Sequence, residues 1–234
     1  VMRIPTAEGR YIWCRVQVTR ISKPDTPLRL VGKIVDIDEE VRRRAELERR
    51  TQRDSLTDLL NKTAVREKIC AAMPVRPQHG KTDALLFLDL DNFKLINDTF
   101  GHVKGDAALL AASEALKRVF RNADAVGRFG GDEFCVFVRG ITREALEERA
   151  AALLSELHTF VEYDDQRVEI TTSIGIYLFD GTESSYDVAL HRADNAQYQA
   201  KQAGKNCYRF YDEIPDPWLG EMDAPRYAKE ESLR

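Results

Sequence analysis

Residues 10–37 alternate in part between apolar and polar positions. Two such runs, Tyr11–Val18 and Leu28–Ile37, are separated by a segment that contains proline and aspartate, and this pattern predicts a β-hairpin. Because two strands are too few for an independently stable domain, we expect this segment to be a fragment of a larger unit.

Residues 38–53 contain interleaved acidic and basic side chains and neither glycine nor proline. This pattern predicts a solvent-exposed helix supported by ion pairs between residues four apart. Its apolar seam consists only of Val41, Ala45 and Leu47. The pattern therefore leaves open whether the helix simply connects two regions or forms a coiled coil.

From residue 54 onward, predicted strands and helices alternate. Residues 84–89 form an apolar run that ends in an aspartate, which is typical of a strand buried on both faces. Such alternation indicates a sheet covered by helices, in the α/β or α+β class. The pattern predicts further strands at 125–129, 133–138, 168–178 and 207–211, helices at 103–120, 143–160 and 185–204, and an extended tail over 214–234.

The composition narrows the class of protein. With 43% hydrophobic and 32% charged residues, the chain can bury a core as ordinary globular proteins do. Its net charge of −4 argues against a nucleic-acid partner, which needs a basic surface. The four cysteines follow no metal-binding or disulfide spacing, so we expect reduced thiols in a cytoplasmic protein. No apolar stretch reaches the roughly 18 residues of a membrane span, although a longer parent protein could be membrane-anchored.

The first candidate for chemistry is the end of the buried strand, Asp89-Leu90-Asp91, which runs into a helix. Ligands bind at such strand ends, and a helix N-terminus can receive phosphate. A carboxylate there suits Mg²⁺, which usually takes one or two protein carboxylates together with substrate phosphates. The alternative, that Asp91 or Asn92 only caps the helix, is equally consistent with this segment alone.

The second candidate is the run from Arg128 to Phe134, which contains a Gly-Gly pair followed by Asp132 and Glu133. Gly-Gly between two strands predicts a tight hairpin with positive φ, and glycines at its tip let a ligand approach the backbone. If this hairpin pairs beside the strand that ends at Asp89, the carboxylates converge on a metal site. The alternative is a structural hairpin with solvated acids.

These segments belong to an ordered set of motifs that resembles the GGDEF family. The set covers about 160 residues and is far more specific than a single pentapeptide. It comprises Asp54–Asn61, Asp89–Lys94, Asn97-Asp98, Gly101-His102, Gly105-Asp106, Gly130–Phe134, Ser173–Ile176, and the late positions Ala193-Asp194, Tyr198, Ala200-Lys201 and Gly204–Asn206.

The resemblance implies an α+β fold, an α/β sandwich with a cyclase- or palm-like central mixed β-sheet surrounded by helices. It also implies a diguanylate cyclase that condenses two GTP molecules into cyclic di-GMP and two pyrophosphates across a two-fold homodimer, with Mg²⁺ or alternatively Mn²⁺ as cofactor. The domains implied are a PAS-like C-terminal fragment (1–37), a signalling helix (38–53), the GGDEF domain (54–213) and the tail.

The resemblance assigns roles to individual residues. Asp106 would hold guanine, and its carboxylate can accept both the N1–H and N2–H donors, a pair that adenine lacks. Arg121 and Asp124, the ends of an Arg-x-x-Asp motif, would bind cyclic di-GMP as a product inhibitor. The remaining roles are metal binding by Asp89, Asp132, Glu133 and the Leu90 carbonyl, catalysis by Asp132, Glu133 and Lys94, and substrate binding by Asn97, Phe93, Gly130, Gly131, Lys201 and Lys205.

Three positions depart from the usual family pattern. Lys62 and Lys205 stand where arginine is usual, and Gln197 replaces a leucine. The lysines keep the charge but lose the bidentate geometry of arginine, and no expected metal or guanine ligand is missing. The main alternative is a catalytically silent GGDEF domain that acts as a receptor for GTP or cyclic di-GMP. A polymerase palm is disfavoured, because a template needs a basic surface.

Overall fold

The structure is a computed structural model that describes residues 1–21, 30–73, 80–120, 125–163, 166–180 and 185–214. The prediction of an extended tail therefore lies outside the described residues beyond Ile214. The chain divides into two compact units, Val1–Gln52 and Arg53–Arg234.

The first unit is a three-stranded antiparallel sheet followed by a helix. The strands are β1 (Met2–Pro5), β2 (Tyr11–Arg20) and β3 (Leu30–Asp36), in that order across the sheet, and the helix is α1 (Asp38–Thr51). β2 and β3 are the predicted hairpin pair. β1 was not predicted, because a four-residue run ending in proline carries too little pattern to indicate a strand.

The junction between β3 and α1 is held by hydrogen bonds to two aspartates. The Trp13 amide donates to Asp38 Oδ1 at 3.2 Å, and the Asp38 amide donates to Asp36 Oδ1 at 2.9 Å. The Ile37 amide donates to the Trp13 carbonyl at 2.9 Å. The sequence Asp36-Ile37-Asp38 thus ends the sheet and starts the helix within three residues.

The second unit is a mixed sheet with helices on both faces, which confirms the predicted fold class. The sheet order is β10-β9-β5-β7-β6-β4, and β8 pairs with β9 outside this path. Its elements are β4 (Leu60–Asn61), α2 (Lys62–Ala72), β5 (Thr82–Asp91), α3 (Phe93–Phe100), α4 (His102–Val119), β6 (Ala125–Gly130), β7 (Glu133–Ile141), α5 (Arg143–Leu157), β8 (Thr159–Tyr163), β9 (Gln166–Leu178), α6 (Tyr186–Gln202) and β10 (Tyr208–Phe210).

β5 is the central strand, and both of its faces are buried as predicted. Its neighbours β7 and β9 both run antiparallel to it. Leu86 and Leu88 belong to the core formed with α4 and α5, whereas Leu85 and Phe87 belong to the core formed with α2 and α6. Alternate residues of one apolar strand therefore fill two separate cores, as the period of a β-strand requires.

The predicted helix at 143–160 is three residues too long. α5 begins after Thr142, whose Oγ1 accepts a hydrogen bond from the Ala145 amide at 3.3 Å, and ends at Leu157. Thr159–Tyr163 instead forms β8, antiparallel to β9. Its β-branched and aromatic residues favour a strand, and the pairing with β9 outweighs the helical periodicity that precedes it. None of the helices in the described residues is both long and apolar enough to cross a membrane.

Candidate active site

The end of β5 and the turn between β6 and β7 meet at one edge of the sheet. Asp89 lies opposite Glu133 on β7 and opposite Ser173 on β9. The Leu90 amide donates a hydrogen bond to the Asp132 carbonyl at 3.2 Å, which fixes the turn beside the end of β5. The two acidic motifs that lie far apart in the sequence are therefore neighbours in the structure.

The turn itself is made by two exposed glycines. Gly130 and Gly131 have φ values of 152° and 53°, backbone that glycine adopts at little cost. The predicted tight hairpin is present, with a register shift between Arg128 and Gly130. This irregularity brings Asp132 and Glu133 to the sheet edge, where both side chains are half-buried.

Lys201 of α6 supplies a positive charge to this acidic edge. Its Nζ lies 2.7 Å from Asp89 Oδ2, with the Asp89 side chain 13% exposed and the Lys201 side chain 31% exposed. Burial raises the pKa of Asp89 to about 6, and the charge of Asp132 adds to this shift while Lys201 opposes it. Burial also raises the pKa of Asp132. Two carboxylates are thus partly withdrawn from water, an arrangement that a cation stabilises.

The donor set fits a small hard cation. Asp89, Asp132 and the Leu90 carbonyl present oxygen ligands, the type that Mg²⁺ prefers. Within the described parts of the chain, no group of three or more His, Cys, Asp or Glu side chains converges to form a complete metal cage. A Mg²⁺ ion here would therefore take its remaining ligands from water and substrate phosphates, as it commonly does.

Asp91, two residues after Asp89, has a different environment. It is 1% exposed and accepts hydrogen bonds from Thr171 Oγ1 and Ser173 Oγ, both at 2.7 Å, and from the Asn206 amide at 3.1 Å. Asn92 precedes α3 with φ of 63° and makes no side-chain capping bond. Asn92 thus occupies the N-cap position of α3 without a side-chain capping bond, and the role of Asp91 as a buried anchor was not predicted.

Asp91 anchors the loop between α6 and β10. Gly204, Lys205 and Asn206 have φ values of 112°, 65° and 48°, so two consecutive non-glycine residues adopt the left-handed region, which costs free energy unless the surroundings hold it. The Asn206 amide bonds to Asp91, and Lys205 Nζ donates to Asn92 Oδ1 at 2.9 Å. The Lys205 ammonium is therefore placed at the start of α3.

The two candidate guanine ligands lie on neighbouring helices. Asn97 is half-buried on α3 and Asp106 is exposed on α4. A Cβ added to Gly105 would lie only 2.0 Å from Asn97 Oδ1, so the Asn97 side chain packs directly on the residue that precedes Asp106. A larger residue at position 105 would displace the Asn97 side chain, whereas glycine leaves it in place.

The other predicted residues are distributed as follows. Phe93, half-buried in the first turn of α3, packs against the core, while Lys94 beside it is exposed. Gln197 is 3% exposed, and its Nε2 has no hydrogen-bond partner among the described residues. The predicted inhibitory pair, Arg121 and Asp124, lies outside the described residues.

A second unpredicted feature is the fork of Arg128, the guanidinium group of this residue, which bonds to two separate segments. Its Nε and Nη2 donate to the Gly131 carbonyl at 3.0 and 2.7 Å, and its Nη1 donates to Asp54 Oδ1 at 3.2 Å. Asp54 also accepts from the amide and the hydroxyl of Thr57 at 2.9 and 2.7 Å. Partial burial pushes the pKa of Asp54 upward, but the hydrogen bonds from Thr57 and Arg128 outweigh it and lower the pKa. Asp54 begins the first of the family motifs and Arg128 begins the second candidate run, and neither pattern indicated that the two side chains are bonded.

The fold and the site define a class of domain in which a mixed sheet, covered by helices on both faces, gathers acidic side chains from two separate segments at one edge. The family model described as "Diguanylate cyclase, GGDEF domain" matches residues 51–207. The chain therefore belongs to the GGDEF family.

Curated relatives and a solved structure agree with this membership. The chain is 38% identical over 158 residues to diguanylate cyclase DgcP of Pseudomonas aeruginosa (65% of this chain, 23% of the relative). It is 34% identical over 167 residues to cyclic di-GMP phosphodiesterase NbdA of the same species (71% of this chain, 21% of the relative). The chain thus spans about a quarter or less of these relatives. The crystal structure of the coiled coil and GGDEF domain of DgcB from Caulobacter crescentus, in complex with c-di-GMP, has a TM-score of 0.67 at 26% identity, covering 74% of this chain and 92% of that chain.

Proposed function

We propose that this chain is a diguanylate cyclase, which condenses two GTP molecules into cyclic di-GMP and two pyrophosphates. The observation that carries the proposal is the convergence of Asp89, Asp132 and Lys201 at one sheet edge, with Lys201 Nζ 2.7 Å from Asp89 Oδ2. Nucleotidyl transfer needs alignment and charge neutralisation more than covalent help, and this edge offers both signs of charge.

In this mechanism, Asp89 and Asp132, with the Leu90 carbonyl and Glu133, would hold Mg²⁺, or Mn²⁺ in its place. When bound, the ion neutralises phosphate charge and lowers the pKa of the attacking 3′-hydroxyl. Asp132 accepts the proton of that hydroxyl as a general base.

The substrate is oriented by residues on the surrounding helices. Asn97 and Asp106 hold the guanine base, and the carboxylate of Asp106 accepts the two adjacent donors of guanine. Lys94, Lys201 and Lys205 neutralise the triphosphate. Phe93 and the exposed Gly130-Gly131 turn complete the substrate pocket by letting the nucleotide approach the backbone closely.

One domain binds one GTP, so two chains face each other in a homodimer. The 3′-oxygen of each GTP forms a bond to the α-phosphorus of the other, and each bond to pyrophosphate breaks. A two-fold axis supplies both reactions with one self-complementary surface.

We further propose that residues 1–37 are the end of a PAS-like sensor and that α1 is the signalling helix. We also propose that Arg121 and Asp124 bind the product as an inhibitor, and that the protein acts in the cytoplasm.

The alternative function is a silent GGDEF domain that binds GTP or cyclic di-GMP without turnover. The observation in its favour is that one relative, NbdA, is named as a phosphodiesterase. The acidic cluster favours the cyclase, because a receptor that does no chemistry has no need to crowd Asp89 and Asp132 together at a cost in charge repulsion.

Incubation of the chain with GTP and Mg²⁺, with products separated by chromatography, tests the proposal. Wild type should yield cyclic di-GMP, and Asp132→Asn should lose about 10²-fold or more in rate, since it removes a metal ligand and base without changing shape. Asp187→Asn is the matched control, because this exposed carboxylate in the first turn of α6 pairs with the exposed Arg66 among the described residues. Absence of product from wild type, with GTP still bound, would favour the silent receptor.

A further inference from the structure

Lys201 and a divalent metal ion would share the carboxylate of Asp89. The Lys201 ammonium lies 2.7 Å from Asp89 Oδ2, the distance of a charge-assisted hydrogen bond. A Mg²⁺ ion on this carboxylate would bind at about 2.1 Å. Two cations held so close on a carboxylate that is 13% exposed repel each other strongly, because a partly buried site screens charge poorly.

The helix that carries Lys201 packs closely on the sheet, so we expect the Lys201 side chain to relieve this repulsion. A Cβ on Gly175 of β9 would lie 2.0 Å from the Ala193 carbonyl oxygen and 2.1 Å from the Gln197 amide nitrogen, which shows how closely α6 packs on the sheet. Ala200, next to Lys201, is fully buried. The Lys201 side chain, in contrast, is 31% exposed, and its four-carbon stem allows the ammonium to swing away.

We propose that Lys201 is a mobile cation that makes metal binding and nucleotide binding interdependent. This inference rests on the proposed function, in which a triphosphate lies beside Lys201. The triphosphate draws the ammonium off Asp89 and releases the carboxylate for the metal; without nucleotide, the metal must displace the ammonium unaided. By thermodynamic linkage, each ligand then strengthens the binding of the other by the same factor.

The matched comparison is provided by the second lysine of the region. Lys205 carries the same charge, but its Nζ donates to Asn92 Oδ1, a neutral amide, at 2.9 Å. Removal of its charge weakens attraction for the triphosphate without freeing a carboxylate. A comparison of Lys201→Met with Lys205→Met therefore distinguishes two effects on metal binding. Both variants remove one positive charge, but only Lys201→Met removes the competitor for Asp89.

The test measures binding of Mn²⁺ to the full chain by electron paramagnetic resonance, without nucleotide and with α,β-methylene-GTP, which cannot be turned over. Lys201→Met should bind Mn²⁺ about tenfold more tightly than wild type in the absence of nucleotide, and the enhancement by the analogue should shrink by the same factor. Lys205→Met should leave the affinity for Mn²⁺ alone within about twofold of wild type. Lys201→Gln, a second neutral variant, should behave as Lys201→Met does.

An unchanged or lowered Mn²⁺ affinity in both neutral variants of Lys201 would overturn the inference. The inference would also be overturned if the double variant Lys201→Met with Asp89→Asn kept the tighter Mn²⁺ binding, because the ion would then be bound elsewhere. Since no step of this test requires turnover, it is separable from the proposed function. A chain that makes no cyclic di-GMP but shows the tenfold gain retains the coupling and loses only the cyclase assignment.

Discussion

Replacement of Asp91 by asparagine should destabilise the second unit without changing its shape. The carboxylate is 1% exposed and accepts three hydrogen bonds, two from hydroxyls and one from a backbone amide. Asparagine can keep an oxygen toward Thr171 and Asn206, and the Ser173 hydroxyl can rotate to accept from the new NH₂ group. The substitution removes the negative charge of the carboxylate, a charge that strengthens all three hydrogen bonds.

The magnitude follows from the number of bonds. Hydrogen bonds to a charged group contribute about 1 kcal/mol more than neutral ones, so three bonds lose about 3 kcal/mol. Relief from burying a charge offsets part of this loss, which leaves an expected destabilisation of about 2 kcal/mol. Ser173→Ala, the control, deletes one of the three charged bonds outright and should cost about 2 kcal/mol, but it leaves the Asn206 amide bonded to Asp91.

Urea denaturation followed by far-ultraviolet circular dichroism gives the free energies of unfolding of Asp91→Asn and Ser173→Ala by linear extrapolation. For a chain active on GTP, Asp91→Asn should also raise the KM for GTP more than Ser173→Ala does, because only Asp91 holds the Asn206 amide and thereby the loop that carries Lys205. A stability of Asp91→Asn within about 0.5 kcal/mol of wild type, the range of an ordinary surface substitution, would refute the role of Asp91 as an anchor.

Two further predictions concern the nucleotide and the metal. Gly105→Ala should weaken binding of α,β-methylene-GTP by about tenfold, the loss of one hydrogen bond, because the new Cβ would lie 2.0 Å from Asn97 Oδ1 and displace that side chain. Calorimetry measures the affinity for the analogue, with Gly32→Ala as the control variant. Equal affinities of the two variants would contradict the prediction. Affinity for Mn²⁺ should rise with pH up to about 6, the pKa of Asp89, and level off above it, since protons compete with metal for a carboxylate only below its pKa. A pH titration by electron paramagnetic resonance with a flat profile from pH 5 to pH 7 would contradict this assignment.

The parts of the fold that could be predicted are those with a strong local pattern. The apolar run at 84–89 indicated a central strand, and the Gly-Gly pair indicated a tight turn, because each depends on neighbouring residues only. β8 was missed because a helical pattern ran into it, and its pairing partner β9 is what decides its conformation.

The contacts of the site could not be predicted residue by residue, since they join distant segments. Asp91 meets Thr171 and Asn206, which are 80 and 115 positions away. Local pattern equally allowed Asp91 to cap a helix, and only the fold removed that alternative. The one available sign was the polar run Thr171-Thr172-Ser173 directly before the apolar end of the strand, which indicates a buried polar partner.

The fork of Arg128 has a mechanical consequence. One planar group is bonded both to the carbonyl of Gly131 and to the carboxylate of Asp54, so the start of the second unit is linked to its acidic turn through a single guanidinium. We expect a displacement of the backbone at Asp54 to shift the turn that carries Asp132, because the planar group donates to both segments at once.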